Sequence, residues 1–175
     1  EDDPVKALER VGNEKFAVVQ RFTVQLVHVN TRTRRMSSLP ASHATPATCA
    51  CAFRQLSRLI VGHEDGSVVV WSCETEVPVA QRTILSTGLN DISALSCCAR
   101  SRATFCASST SGVIIKLDEQ MRSEVFADEG IIPTANGGGI FSMDMSQQRP
   151  RDVLICGQDG SLTHYSPEAR TKYLF

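Results

Sequence analysis

Seven cysteines, four histidines and a series of paired arginines are the side chains of this 175-residue sequence with the most chemistry to offer. Cys49-Ala-Cys51 puts two thiols on one face of a strand, because strand side chains alternate with period two. That is half of a tetrahedral zinc set, which needs two further ligands such as His63 or Cys97. The competing reading is a pair of buried thiols on a central strand. The other cysteines, Cys73, Cys97-Cys98, Cys106 and Cys156, also lie in apolar, strand-like stretches, and seven is an odd number. Free thiols in a reducing compartment, cytosol or nucleus, account for this better than a disulfide framework. No metal and no cofactor is expected.

The remaining chemistry is sparse. His28, His43, His63 and His164 are dispersed along the chain. The sequence has no Gly-x-Ser-x-Gly, no phosphate loop ending in Gly-Lys-Ser/Thr, no His-Glu-x-x-His and no Cys-x-x-Cys. Asn136-Gly137-Gly138-Gly139 looks like a phosphate cradle but lacks the following helix and the lysine. A ligand site there would belong to an enzyme or small-molecule sensor; a linker is the simpler reading. The expectation is a protein without catalytic residues.

The elements that position these residues are short strands. Helical periodicity is nearly absent, and β-rich runs of about five to eight residues are punctuated by turn signals. Arg58–Trp71 is the clearest case, two apolar runs flanking Asp65-Gly66, a hairpin signal because the tight turn needs the positive φ that glycine supplies. Asp152–Tyr165 repeats it around Asp159-Gly160, and Thr104–Leu117 around Ser111-Gly112. An aromatic residue or Leu follows each turn glycine by five: Trp71, Leu117 and Tyr165. A weaker copy, Lys15–Gln20 and Thr23–Val29, lacks the glycine.

With Val29, Trp71, Leu117 and Tyr165 equivalent, the period is roughly 40 to 48 residues, the mark of a propeller. Each unit also has a strand before its hairpin (Val5–Val11, Ala47–Phe53, Ile92–Cys98, Ile140–Ser146) and one after it (near Arg35–Leu39, Val79–Leu85, Ser123–Ala127, Arg170–Leu174). The expected fold is all-β: four blades of four-stranded antiparallel sheet in one region, with repeats at about 4–46, 47–91, 92–139 and 140–175. Thr83–Asn90 and Thr171–Phe175 are outer-strand segments: either an open edge there takes up a partner's strand, or they pair only within their own blades.

These units resemble WD repeats, in which a strand after an Asp-Gly turn ends in Trp-Asp. The dipeptide here reads Trp71-Ser72, Leu117-Asp118 and Tyr165-Ser166, and Gly62-His63 falls inside a strand rather than at the start of a blade. The resemblance implies that Asp65 and Trp71 hold two places of the family's hydrogen-bonded tetrad, with no His placed to complete it. It also implies a ring of about seven blades, of which four are half. The absence of an initiator Met fits a fragment or a processed chain. The role implied is a non-enzymatic scaffold for other protein subunits of a large assembly.

Composition agrees with a soluble globular protein: 42% hydrophobic, 21% charged and a net charge of -1. No apolar run approaches the roughly 18 residues that span a bilayer, and bulk charge does not point to nucleic acid. The charges are nevertheless patterned. Arg54 and Arg58, Arg100 and Arg102, and Arg149 and Arg151 each bracket the turn between first and second strands of a unit. Arg32, Arg34 and Arg35 add a third-to-fourth-strand turn at the same end. Glu64, Asp65, Asp91, Asp128, Glu129 and Asp159 fall at the opposite end, while Glu74, Glu76 and Glu119 dilute the basic one. The expectation is a basic face that docks an acidic protein segment or, alternatively, an RNA backbone, as in a ribonucleoprotein subunit.

Overall fold

The computed structural model describes residues 3–29, 34–39, 44–84, 91–99, 103–108, 113–118, 120, 122–125, 139–149, 152–166 and 171–174. Among them are sixteen strands and one turn of 3-10 helix, Arg54–Leu56. The strands form four antiparallel sheets, each of four strands in chain order. The first holds β1 (Val5–Arg10), β2 (Lys15–Gln20), β3 (Val24–Val29) and β4 (Arg34–Leu39); the second β5 (Ala47–Phe53), β6 (Arg58–His63), β7 (Ser67–Ser72) and β8 (Val77–Thr83). The third holds β9 (Ile92–Cys98), β10 (Ala103–Ser108), β11 (Ile114–Leu117) and β12 (Ser123–Val125); the fourth β13 (Ile140–Met145), β14 (Val153–Gly157), β15 (Leu162–Ser166) and β16 (Thr171–Leu174). The first strands stack in succession, β1 on β5, β5 on β9 and β9 on β13.

Turn chemistry fixes the central hairpins of the second and fourth sheets as the sequence demands. Gly66 and Gly160 take φ of 76° and 81°. Asp65 Oδ1 accepts from the Ser67 N–H and Asp159 Oδ1 from the Ser161 N–H, both at 3.0 Å, so the aspartate closes its own turn. Gly112 lies outside the described residues. The first sheet does without the glycine: the Gln20 N–H donates to the Thr23 carbonyl at 2.8 Å across Arg21-Phe22. The fourth strand of sheet two begins at Val77 and ends at Thr83, two residues earlier than Val79–Leu85, because Glu76 adopts a positive φ of 60° that turns the chain sooner. Of the segment Thr83–Asn90, residues 85–90 lie outside the described residues. Thr171–Leu174 pairs with β15 inside its own sheet.

The core sits between sheets. Val11, Ala17, Val19 and Leu26 of the first pack against Leu59, Val61, Val69 and Trp71 of the second. Cys51, Phe53, Ile60, Val68 and Val70 of the second meet Ile92, Leu95 and Leu117 of the third. Ala94, Cys98 and Ile114 of the third meet Ile140, Met143, Met145, Val153, Ile155 and Tyr165 of the fourth. The second sheet is therefore buried on both faces. That is why Arg58–His63 and Ser67–Ser72 read as continuous rather than alternating apolar runs.

Trp71, Leu117 and Tyr165 all turn toward the preceding sheet and are buried. Val29, their equivalent, is exposed together with Val5, Leu8 and Met36, because no sheet precedes the first among the described residues. Phe141 and Leu154 are exposed on the far face of the fourth sheet, Phe141 at 70%.

Gly62 has a packing task that its place in the strand explains. A Cβ there would stand 2.6 and 2.7 Å from side-chain carbons of Ile92 and 3.1 Å from Cys49 Sγ. Sheets two and three close to this distance only over a hydrogen. Gly62→Ala is expected to destabilise the protein by about 1–3 kcal/mol through overpacking. Gly12→Ala, which meets only ordinary contact at Lys15, is expected to stay within about 0.5 kcal/mol. Urea unfolding of the two variants checks both.

Candidate protein-interaction face

Antiparallel sheets in chain order place the first-to-second and third-to-fourth turns at one end of the stack. The described arginines of the sequence pattern fall there, in different surroundings. Arg54 opens the 3-10 helix, is exposed, and its Nε donates to the Arg10 carbonyl of the first sheet at 3.0 Å. Arg58 begins β6, half-buried. The turn between them closes through Ser57, a non-glycine at φ 48°, whose carbonyl accepts from the Cys73 N–H at 2.8 Å. Arg149 is exposed, 3.8 Å from the buried carboxylate of Asp152. Arg35 is exposed on the outer strand β4. Arg32, Arg100, Arg102 and Arg151 lie outside the described residues, as does the side chain of Arg34.

Acids share this end. Lys15 is 3.7 Å from Glu76 and donates to the Cys73 carbonyl. Arg122 pairs with Asp118 at 2.6 Å; burial pushes that carboxyl up, but the Arg122 backbone and side-chain N–H groups, the Gln120 N–H and the Arg122 charge together hold it below the usual carboxylate range. Asp152 also accepts from Ser166 Oγ at 2.7 Å and lies 3.7 Å from His164 Nε2. At the other end Arg21 reaches Glu64 at 3.9 Å, so that end is not purely acidic.

Where the first strands converge, a cleft of about 300 Å³ opens between Glu9, Ala52, Phe53, Arg54, Gln55, Cys97, Ala99 and Gln147. All four sheets or their turns contribute to it. Its walls are tied by contacts from one sheet to the next. Glu9 Oε2 accepts from the Ala52 N–H at 3.2 Å; Gln147 accepts from the Ala99 N–H at 3.2 Å and donates to the Cys97 carbonyl at 3.1 Å. Further along the same strands, the Thr48 and Ser93 hydroxyls donate to the carbonyls of Ile92 and Ile140, the first residues of the next inner strands. Of the arginines singled out by sequence, the cleft gathers Arg54 alone among the described residues. Glu9, Gln55 and Gln147 were missed, although alignment of the units puts Gln55 and Gln147 just beyond their first strands.

Burial pushes the Glu9 carboxyl up; the Ala52 N–H and the Arg54 charge pull it back without cancelling that effect. Cys49 and Cys51 share the face toward sheet three. Cys51 reaches Cys97, but His63 turns its Nδ1 to the Thr45 carbonyl at 2.9 Å. No group of three or more His, Cys, Asp or Glu among the described residues is arranged to hold a metal ion. Among those residues no helix is long and apolar enough to cross a membrane. Of the Asn136–Gly139 loop only Gly139 is described; its carbonyl accepts from the Gln158 N–H.

No protein-family model matches the chain, and no curated protein matches it. Solved structures do. One match is a chain from the crystal structure of a mitotic checkpoint complex, with a TM-score of 0.75, 14% identity, and coverage of 99% of this chain and 51% of that one. The fold is that of β-propeller blades. The chain spans about half the length of that structural neighbour, and its four sheets are four blades stacked about their inner strands.

Glu9 makes the cleft sensitive to pH. An acid with a raised value in the folded state contributes stability that is fully present below its ordinary 4.5 and is lost as pH rises through the raised value. Glu9→Gln keeps an acceptor for the Ala52 N–H and carries no charge. The variant is expected to melt above the parent at about pH 7, the gap closing near pH 4; thermal melts across that range check it.

Proposed function

We propose that the chain serves as a non-enzymatic interaction scaffold, a set of WD-repeat-type blades inside a multi-subunit assembly. The observation that carries this reading is the pair of open blade faces. Leu8, Val29 and Met36 on the first blade, and Phe141 and Leu154 on the fourth, occupy faces that the middle blades bury against neighbours. Apolar sheet faces of this kind are interaction surfaces. Further blades, in the same polypeptide or in a partner, complete the ring. The structural neighbour's own description is of a multi-protein complex, which supports the same kind of role here.

The arginine-bearing end is the second docking surface, and its partner is an acidic protein segment. Glu9, Glu14, Glu74, Glu76 and Asp118 stand among its bases. A phosphate backbone carries its charge at every nucleotide and would meet these carboxylates along the first three blades, whereas a protein segment can set its acids against the bases and neutral residues against the carboxylates, so protein is favoured over RNA. Six free cysteines among the described residues support a reducing compartment, cytosol or nucleus.

Gentle purification of the native protein with mass spectrometry of its companions tests the scaffold. Stoichiometric protein companions are expected. A lone chain with a tightly held small molecule would overturn the reading. On the recovered complex, Arg54→Glu with Arg58→Glu is expected to weaken binding at least tenfold, about 1.4 kcal/mol. Unchanged affinity at physiological salt would remove the basic end from the interface.

A further inference from the structure

We propose that Cys51 and Cys97 are a reversible thiol pair, oxidised by hydroperoxide to a disulfide that joins the inner strands of blades two and three. Their sulfurs lie 2.7 Å apart. That is closer than the about 3.5–4.0 Å at which unbonded heavy atoms pack best and a short movement from the about 2.05 Å of a bond. The two strands, β5 and β9, belong to different sheets and are held beside one another by packing and by the Thr48–Ile92 contact. A bond here therefore adds a covalent tie where the backbone ladder provides none.

Access separates the two thiols into roles. Cys97 is half-buried and lines the 300 Å³ cleft, so a small peroxide reaches it from solvent. Cys51 is buried behind it and meets the oxidised sulfur rather than the oxidant. Two other thiols are poor competitors: burial pushes Cys49, on the same face, up to about 12, and Cys73, between the first and second blades, up to about 11, so both stay protonated, and the thiolate is the nucleophile. Cys98 is fully buried.

The chemistry balances in two steps. The Cys97 thiolate attacks one oxygen of hydrogen peroxide, the O–O bond breaks, and hydroxide leaves to become water, giving Cys97 sulfenic acid. Cys51 sulfur then attacks the sulfenic sulfur; the S–S bond forms, the S–O bond breaks, and the oxygen departs as a second water with the Cys51 proton. Two electrons pass from the two sulfurs to the peroxide. A cellular thiol reverses the bond, so the pair rests reduced in a reducing compartment.

The test is treatment of the full chain with equimolar hydrogen peroxide, then intact mass and peptide mapping with fragmentation between Cys49 and Cys51 and between Cys97 and Cys98. A loss of about 2 Da, restored by dithiothreitol, and a cross-link joining Cys51 to Cys97 are expected. Cys97→Ser should abolish the cross-link, Cys51→Ser should leave Cys97 as a dimedone-reactive sulfenic acid, and Cys156→Ser should change nothing. A bond between other cysteines, or Cys97 driven to sulfinic acid with Cys51 untouched, overturns the proposal. The map of the unmutated chain decides this even if Cys51→Ser does not fold.

Discussion

Everything in this molecule depends on sheets burying one another face to face. A four-stranded sheet has no core of its own, so Leu59, Val61, Val69 and Trp71 need the first blade, and Ile60, Val68 and Val70 need the third. Full burial of each such side chain contributes roughly 1.5–3 kcal/mol, and the second blade gathers that contribution from both sides. Hydrogen bonds within a sheet fix register, but they do not bring sheets together. Polar contacts add to the apolar packing between blades, among them Thr48 and Ser93 to the next inner strand, Glu9 and Gln147 to backbone of a neighbouring blade, and Lys15 and Arg54 to carbonyls across the first and second blades.

This constraint links fold to function. On the proposed reading, a blade face that is apolar and uncovered among the described residues binds a partner by the same physics that makes its inner face a core. Leu8, Val29 and Met36 at one end of the stack and Phe141 and Leu154 at the other are such positions. The convergence of inner strands also creates the cleft between Glu9, Arg54, Cys97 and Gln147. Its walls come from strands far apart in sequence, so its shape reports on how the blades sit against one another.

Much of the architecture was legible in the sequence because turns and apolar runs are local signals. Asp65-Gly66 and Asp159-Gly160 announce their hairpins with the φ the turn requires, and the spacing from Trp71 to Tyr165 marks equivalent strands. The equivalence of Val29 was legible too, but its exposure was not, since exposure depends on which sheet lies opposite. Gly62-His63 illustrates the same limit. As a dipeptide it sits out of place for the resemblance; in space, Gly62 is the gap that admits Ile92. The cleft was largely invisible. Glu9 and Gln147 act through backbone groups in other blades, and no one-dimensional pattern couples residue 9 to 52 or 147 to 99. The Cys51–Cys97 approach was hidden for the same reason, although both cysteines were noted.

Hydrogen exchange resolved to single strands tests the central claim, two-sided burial of the second blade, most directly. Amides of Leu59–Gly62 and Val68–Trp71 should exchange last, close to the rate set by global unfolding, while the first and fourth blades, each open on one face, exchange earlier. Slowest exchange in the first or fourth blade, or uniform exchange across all four, would contradict the account.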